Sequence, residues 1–443
     1  MKIAFIPIDN RPVCYTLPKL LAGIDKNIDF SIPDRKYLGD LKKIADKNYL
    51  IDWLEKLEKQ DAIIISLDTL IYGGLIPSRR STQTLDAIEK DLDIVKNILK
   101  RKNSKIYAFS SIMRISNNNY NEEEKEYWSQ YGEKIFKYSY DLHKNGKAQT
   151  DVPTDILKDY LDTRKRNFEV NKIFLHWQKE GIFDNLIFSK DDCAQFGLNV
   201  LEAQELEKLG AYIKTGADEI PLSLLSRAIE KDLKICPIFL EPEYKNSISN
   251  YEDISVEKSV TGQIELAGCR VTGREEADII LYVNNFVDKQ GEIVMKQQTK
   301  MFDKQFEVPS KPFMVADVRF ANGSDNNFIS ELFKNKLEDK NFYGYSAWNT
   351  TANTLGSLIC GAKIKFAAKQ YNKDNFIKLQ ITRFLDDWGY QANVRQQLKI
   401  MDIEKLKIFM KLYENKVSKI LDTNVNVKYS FPWERLFEVE IWV

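Results

Sequence analysis

The sequence has only two histidines, His143 and His176, in 443 residues. This scarcity excludes a zinc site built mainly from imidazoles and any catalytic scheme that needs three of them. The five cysteines are widely spaced, and none belongs to a CxxC pair. They predict free thiols in a reducing compartment rather than a disulfide framework or a zinc knuckle. We therefore expect a cytoplasmic protein with no metal bound by His or Cys, and no cofactor.

Long apolar runs and an excess of one charge are also absent. No run approaches the ~18 apolar residues of a membrane span. Asp9 and Arg11 interrupt the first apolar run, which therefore does not resemble a signal peptide. Lys+Arg and Asp+Glu number 65 each, and this balance argues against a general nucleic-acid or anionic-membrane binder. We expect a small-molecule partner, and the sequence leaves the oligomeric state open.

Short apolar runs alternate with helical patterns along the chain, which is typical of α/β proteins with a mainly parallel sheet. Nine strand candidates lie at 1–9, 62–67, 105–113, 186–188, 212–214, 235–240, 277–283, 311–317 and near Tyr345. We predict a (β/α)8-like barrel with one extra or edge strand. A doubly wound open sheet or two smaller α/β lobes are the alternatives.

The predicted domain organisation is an α/β catalytic-type domain at 1–350 and a mainly helical region at 351–443 packed on it. A polar, aromatic insertion at about 117–160 exceeds a minimal α/β unit, and we interpret it as a lid. Internal repeats and Gly/Ser linkers are not apparent in the sequence. Gly73-Gly74 is a turn signal and not a phosphate loop, because neither GxGxxG nor GxxxxGK[ST] spacing is present.

Polar residues gather after the strand candidates, at their carboxyl ends, where α/β proteins bind ligands. The candidates in the first half of the chain are Asp9, Asn10, Arg11, Asp68, Arg114, Asp191, Asp192, Asp218 and Glu219. We expect Asp9, Asp68, Asp192, Asp218 and, from later in the chain, Asp325 to converge on one cleft. For Arg11 an equally supported alternative is a structural ion pair with Asp9.

Asp191 and Asp192 are the predicted catalytic pair. They follow the apolar run 186–188 directly, and Gly197 then relieves the backbone. Adjacent acids at a strand end can have two different environments, so that one stays protonated and the other ionised. The alternative is a solvated loop with two surface charges.

A second group of candidate substrate-binding residues comes later in the chain, as Asn322, Asp325, Trp348, Asn349 and Asn353. An indole face can cover the apolar face of a pyranose, while amides and carboxylates bind its hydroxyls. The alternative is a core tryptophan with Asn349 as a helix cap.

Several of these stretches together resemble a bacterial family known only as a domain of unknown function, number 4127. The matching stretches are Pro7-Ile8-Asp9-Asn10-Arg11-Pro12, Ser66-Leu67-Asp68, Tyr72-Gly73-Gly74-Leu75, Ser189-Lys190-Asp191-Asp192, Gly216-Ala217-Asp218-Glu219, Asn322-Gly323-Ser324-Asp325, Trp348-Asn349-Thr350 and Asn353-Thr354-Leu355-Gly356. The family brings no established activity.

A looser resemblance, through the Asp-Asp and Trp-Asn elements, is to barrel N-acetylglucosaminidases. It implies that Asp191 orients the substrate's acetamido group, whose carbonyl oxygen is the nucleophile, and that Asp192 is the general acid. Lys190 before the pair and the ninth strand candidate depart from that pattern. This is an analogy at the level of motifs.

The leading functional hypothesis is a glycoside hydrolase-like enzyme acting on a small sugar or N-acetylhexosaminide, since such chemistry runs on two carboxylates. One alternative is an Mg²⁺- or Mn²⁺-dependent hydrolase or lyase that uses clustered aspartates. Its ligands would come from Asp9, Asp68, Asp191, Asp192 and Asp317. A non-enzymatic carbohydrate-binding protein is the third possibility.

Overall fold

The computed structural model describes residues 1–191 and 194–443, and the chain divides into two compact units. The first unit comprises Met1–Tyr15, Asp29–Pro221 and Tyr251–Asp253. The second comprises Thr16–Ile28, Leu222–Asn250 and Ile254–Val443. The predicted domain boundary at residue 350 lies inside the second unit.

The strands are short and nearly all lie in parallel pairs. They are β1 (Lys2–Ile6), β2 (Asp29–Ser31), β3 (Ala62–Ser66), β4 (Lys105–Ile112), β5 (Asn185–Lys190), β6 (Tyr212–Thr215), β7 (Lys234–Phe239), β8 (Arg270–Val271), β9 (Ile279–Asn284), β10 (Gly291–Glu292), β11 (Phe313–Asp317), β12 (Phe320–Ala321), β13 (Phe342–Ser346), β14 (Lys428–Ser430) and β15 (Glu440–Trp442). Only β14 and β15 pair in the antiparallel sense among the named strands of the described residues.

The α-helices separate most of these strands. They are α1 (Pro12–Ala22), α2 (Lys47–Lys56), α3 (Leu67–Tyr72), α4 (Leu75–Arg80), α5 (Leu85–Arg101), α6 (Trp128–Asn145), α7 (Thr154–Lys179), α8 (Leu198–Lys208), α9 (Ile220–Ala228), α10 (Val256–Leu266), α11 (Asn326–Leu332), α12 (Thr351–Ala367), α13 (Lys373–Arg383) and α14 (Ile403–Ile420). A π-helix, Phe384–Val394, continues directly from α13. No helix in the described parts of the chain is long and apolar enough to cross a membrane.

The first unit is built on a parallel sheet with the strand order β2-β1-β3-β4-β5-β6. β3 is buried at every position, as expected for a parallel strand with both faces covered. Each fully buried isoleucine of this strand contributes roughly 1.5–3 kcal/mol. The reversal of strand order at β1 and β3 creates a topological switch point, outside which α/β sheets bind ligands.

Helix α5 illustrates how the local sequence covers this sheet. Thr84 caps its start by accepting a hydrogen bond from the Ala87 N–H. Ile88, Leu92 and Val95 follow at helical spacing and are buried in the core. The same apolar residues whose spacing predicts the helix therefore pack it against the sheet.

The second unit contains a parallel sheet with the order β13-β11-β9-β7-β8. When its strands are numbered 1 to 5 in chain order, they are β7, β8, β9, β11 and β13, and the spatial order read from β8 is 2-1-3-4-5. The strands β2-β1-β3-β4-β5 of the first sheet have the same order. The two sheets therefore repeat one topology, although the sequence shows no internal repeat. The core of the second unit packs helices α10 and α12 through residues such as Val260, Ile264 and Leu355.

The predicted α/β class with mainly parallel strands is confirmed. The strand pairing of the described residues gives two larger open sheets, of six and five strands, and two sheets of two strands, and not one closed ring of eight, so a barrel is not observed. All nine strand candidates are strands, but six others were missed because each is only two or three residues long: β2, β8, β10, β12, β14 and β15. The segment after Asp9, expected to be a loop, becomes α1 at Pro12, because proline is well suited to the first turn of a helix.

Candidate functional site

The carboxyl edge of the first sheet collects most of the predicted site residues. Asp9 and Arg11 follow β1, Asp68 follows β3, and Arg114 follows β4. Asp191 follows β5, and Asp218 and Glu219 follow β6. Because all these strands are parallel, their carboxyl ends lie on one side of the sheet.

Arg11 joins two carboxylates at this edge. Its Nε donates to Asp9 Oδ2 at 2.9 Å, and its backbone N–H donates to Asp9 Oδ1 at 2.9 Å. Its Nη2 and Nη1 donate to the two oxygens of Asp218 at 2.6 and 3.1 Å. Burial raises the pKa of Asp218 above its ordinary value, although the Arg11 charge opposes this. The structural pairing of Arg11 with Asp9, expected as an alternative, is therefore present, and it extends to Asp218.

Glu219 is a fully buried acid beside this pair. Its Oε2 accepts a hydrogen bond from the Ala217 N–H at 3.0 Å. Burial raises the pKa of Glu219 well above its usual range, and the negative charges of Asp218, Asp191 and Glu252 raise it further. This edge therefore holds an acid that favours its protonated form.

Gly216 makes the position of Glu219 sterically possible. Its φ of +109° is in the left-handed region that favours glycine. A Cβ at this position would lie 1.7 Å from Glu219 Oε1. The sequence signal was the Gly-Ala-Asp-Glu stretch itself, but only the structure shows that the glycine makes room for the acid.

Asp68 lies at the other side of the switch point, in the first turn of α3. Its Oδ2 accepts a hydrogen bond from the Ser111 N–H at 2.8 Å. Burial raises the pKa of Asp68 to about 7, although the Ser111 bond and the Arg79 charge lower it. Asp68 is only 2% exposed, so it is buried beneath the edge of the sheet and does not lie at the surface.

Arg114 and Asp191 are the more accessible pair. Their side chains are 18% and 26% exposed, and Nη1 of Arg114 lies 4.0 Å from Asp191 Oδ2. Arg114 also donates to Glu124 Oε1 at 3.1 Å and to Glu123 Oε2 at 3.0 Å. Both glutamates belong to the predicted insertion, which therefore contributes charged groups to this edge.

Glu124 also binds Arg79, whose side chain is almost fully buried, at 2.7 Å. Lys190, which departs from the glycosidase pattern, donates to Asp253 Oδ2 at 2.6 Å. Thr215 donates to the other oxygen of Asp253 at 3.1 Å. Four residues of this edge were not identified from the sequence, because none of them directly follows a predicted strand. They are Arg79, Glu123, Glu124 and Asp253.

Asp192 and Asn10 are the two remaining residues that the sequence predicts for this edge. Asp192, the expected general acid, lies outside the described residues. Asn10 is half-buried, and its backbone bonds to Gly39 and to Arg35 hold the loop after β1.

The second group of predicted residues lies in the second unit. Asp325 is fully buried and caps α11 by accepting from the Asn327 N–H at 2.8 Å, and its other oxygen accepts from the Phe302 N–H at 2.7 Å. Trp348 is only 4% exposed, so its ring is a core group in this structure. Thr350, and not Asn349, caps α12.

Asn322 and Asn349 both have left-handed backbones, with φ of +60°. The Asn322 N–H donates to the Asn349 carbonyl at 2.8 Å, which ties the loops after β12 and β13 together. Asn353 is buried in the first turn of α12, and its carbonyl accepts from Ser357 Oγ at 3.1 Å. Asparagine tolerates the left-handed region better than most residues, which accounts for its use at these turns.

The carboxyl edge of the second sheet is filled by a polar network. Asp317 accepts from Asn284 at 2.8 Å, from the Asp325 N–H at 2.8 Å and from the Tyr345 hydroxyl at 3.1 Å. Arg319 donates to Glu241 at 2.9 Å and to Asn284 at 3.1 Å. Because these groups are buried and bonded to one another, the network stabilises this unit.

The π-helix adds a second buried acid pair to this network. Asp387 Oδ2 accepts from the Ala347 N–H at 2.7 Å, and Arg383 lies 3.1 Å from Asp387 and 2.9 Å from Asp386. Burial raises the pKa of Asp387 to about 7. The sequence showed only a helical pattern here, so this pair was missed.

A cation site is not formed by the acids that the structure describes. Within residues 1–191 and 194–443, no group of three or more His, Cys, Asp or Glu side chains could hold a metal ion. Arg11, Arg79 and Arg114 occupy the positions between the carboxylates of the first-sheet edge.

The chain belongs to the family described as "Protein of unknown function (DUF4127)", whose model matches residues 3–442. The resemblance to this family, expected from short stretches, is confirmed over nearly the whole chain. Comparisons with curated proteins and with solved structures give no match. They therefore do not show the looser resemblance to barrel N-acetylglucosaminidases.

Proposed function

Since membership of this family brings no activity with it, we propose from the site itself that the chain is a glycoside hydrolase-like enzyme. Its substrate would be a small sugar or an N-acetylhexosaminide, and its site the carboxyl edge of the first sheet. The observation that carries this proposal is the contrast between two neighbouring acids. Asp191 is accessible and faces Arg114, whereas Glu219 is buried among other acids.

This contrast suits glycoside hydrolysis, which needs one acid that holds a proton and one that stays ionised. The cation of Arg114 stabilises negative charge on Asp191. The raised pKa of Glu219 keeps a proton within the same cluster. Asp192 retains the general-acid role that the sequence predicts.

The position of the cluster supports the same proposal. Asp9 and Asp68 flank the switch point between β1 and β3, where doubly wound sheets bind small ligands. Arg11 brings Asp218 to this point. We therefore propose two doubly wound α/β lobes, the first of them catalytic, in preference to a barrel.

Four cysteines, Cys14, Cys236, Cys269 and Cys360, are buried free thiols. This supports a reducing, cytoplasmic location as part of the proposal. The neutral overall charge supports a small sugar, and not a nucleic acid or a membrane, as the partner.

The test is a screen of purified protein against aryl glycosides of common sugars and N-acetylhexosamines, with and without EDTA. We expect turnover that EDTA does not change. Turnover that EDTA abolishes would favour the metal-dependent alternative. Sugar binding by calorimetry without turnover of any glycoside would favour a carbohydrate-binding protein, and either result contradicts the proposal.

A further inference from the structure

Helix α6, in the insertion, holds the start of helix α8. The Gly197 N–H donates to His143 Nδ1 at 3.0 Å, and the Leu198 N–H donates to Ser139 Oγ at 2.8 Å. The first N–H groups of a helix have no partner inside the helix, and a capping side chain normally supplies one. Gly197, at the N-cap of α8, has no side chain to do so, and α6 supplies the acceptors instead.

Aromatic contacts reinforce this clamp. The Phe196 ring meets the His143 ring edge-on at 5.2 Å and the Tyr140 ring edge-on at 5.4 Å. Lys144 Nζ lies 5.8 Å from the centre of the Phe196 ring. Phe196 and Gly197 immediately precede α8, the first helix after β5, so the clamp acts on the start of that helix.

The hydrogen bond from Gly197 requires a neutral imidazole. A neutral histidine has one nitrogen that accepts, whereas a protonated histidine donates from both. Protonation would therefore set the N–H of Nδ1 against the N–H of Gly197.

On each of the two helices that meet at His143, one acidic side chain forms an ion pair. On α6, Asp141 pairs with Lys137 at 2.6 Å. On α8, Glu202 pairs with Arg164 at 2.6 Å. Lys144, the next residue on α6, lies over the Tyr140 and Phe196 rings.

We propose that His143 is a positioning residue for the carboxyl edge of the first sheet: its neutral imidazole holds Phe196 and Gly197 at the start of α8, and its protonation releases the start of that helix. The effect on catalysis rests on the proposed glycosidase function, but the clamp itself does not. His143 belongs to the insertion, which thereby makes the site sensitive to acid.

Three variants test this. His143→Asn places an amide oxygen where Nδ1 lies, so it accepts the bond but does not titrate. His143→Leu removes the acceptor. His176→Asn is the matched control, because His176 is the only other histidine and its side chain is 70% exposed on α7, paired with Glu180.

The first readout is the hydrogen-exchange protection of the Gly197 and Leu198 amides, corrected for intrinsic exchange, at pH values of about 7.5 and 5.5. In the wild type and in His176→Asn we expect Gly197 protection to fall by about tenfold at the lower pH. In His143→Asn it should stay constant, and in His143→Leu it should be low at both values. Protection that is independent of pH in the wild type, or that falls equally in His143→Asn, overturns the proposal.

The second readout is the pH profile of glycoside hydrolysis. We expect the acid limb to move to lower pH in His143→Asn and to stay in place in His176→Asn. An acid limb that is the same in wild type and His143→Asn overturns the catalytic role of the clamp. If protection behaves as expected but no glycoside is hydrolysed, the clamp stands and the proposed glycosidase function fails.

Discussion

Arg11 and Asp218 form a buried, bidentate ion pair although 207 residues separate them in the sequence. They follow β1 and β6, which are four strands apart in the sheet. Strands four apart in a flat sheet are separated by roughly 19 Å. The residues that follow the two strands, together with the long Arg11 side chain, span this distance. The pair thus concentrates acids from distant strands at one place.

Removing the guanidinium should be strongly destabilising. Arg11→Ala leaves Asp218 buried without its cation, and breaking a buried pair in this way costs about 3–5 kcal/mol. We expect the double variant Arg11→Ala/Asp218→Asn to recover part of this loss, because the asparagine carries no charge. The measurement is the free energy of unfolding in urea. A loss below about 1 kcal/mol in Arg11→Ala would show that the pair is screened by solvent.

Gly216→Ala should be destabilising for two separable reasons. The left-handed backbone disfavours alanine, and the new Cβ meets Glu219 Oε1. Gly210→Ala is the matched control, because Gly210 has φ of +94° but nothing within 4 Å of the added Cβ. We expect Gly216→Ala to lower the free energy of unfolding in urea more than Gly210→Ala does. When Glu219→Ala is combined with each glycine variant, most of this difference should disappear. Equal costs in the two variants would contradict the close packing of Glu219 on Gly216.

Asp68 should make the protein less stable as pH rises. Its pKa of about 7 in the folded state lies above its ordinary value of 3.8, so the folded state binds a proton that the unfolded state releases. This contribution to stability is fully present below pH 3.8 and is lost as pH rises through about 7. Between pH 5 and pH 8 we expect the wild type to lose roughly 2–3 kcal/mol more than Asp68→Asn. Parallel pH dependences of the two proteins in urea unfolding would contradict the raised pKa.

The sequence predicted local structure well because local signals were sufficient for it. Buried apolar runs such as 62–67 became strands, and the spacing of Ile88, Leu92 and Val95 became the buried face of α5. Sheet closure could not be predicted in this way. It depends on which strands pair, and strand order is decided by packing between distant segments.

The candidate site was predictable where acids directly follow strands. Asp9, Asp68, Asp191 and Asp218 all lie at the edge where the sequence pattern put them. The partners that determine their chemistry were not predictable. Glu124 and Asp253 reach this edge from loops, and contacts of that kind leave no periodic signal in the sequence.

The same limit applies to the second unit. The sequence could not show whether the Trp348 ring is exposed enough to bind a sugar. In the structure the residue is almost fully buried. Asp325 looked like a ligand group after a strand, but its oxygens serve as a helix cap and a loop anchor. Residue type alone does not distinguish a polar core from a polar pocket.

The most direct test of the central proposal compares kcat/KM on aryl glycosides with good and poor leaving groups. The variants are Asp191→Asn, Asp192→Asn and, as a control, Asp162→Asn, whose side chain is 60% exposed on α7. General acid catalysis contributes roughly 10²–10⁴-fold, and most of it is needed by a poor leaving group. We predict that Asp192→Asn loses this factor on poor leaving groups and far less on good ones. Asp191→Asn should lose rate on both, and Asp162→Asn on neither. If Asp191→Asn and Asp192→Asn behave like Asp162→Asn, the carboxyl edge of the first sheet is not the active site of a glycosidase.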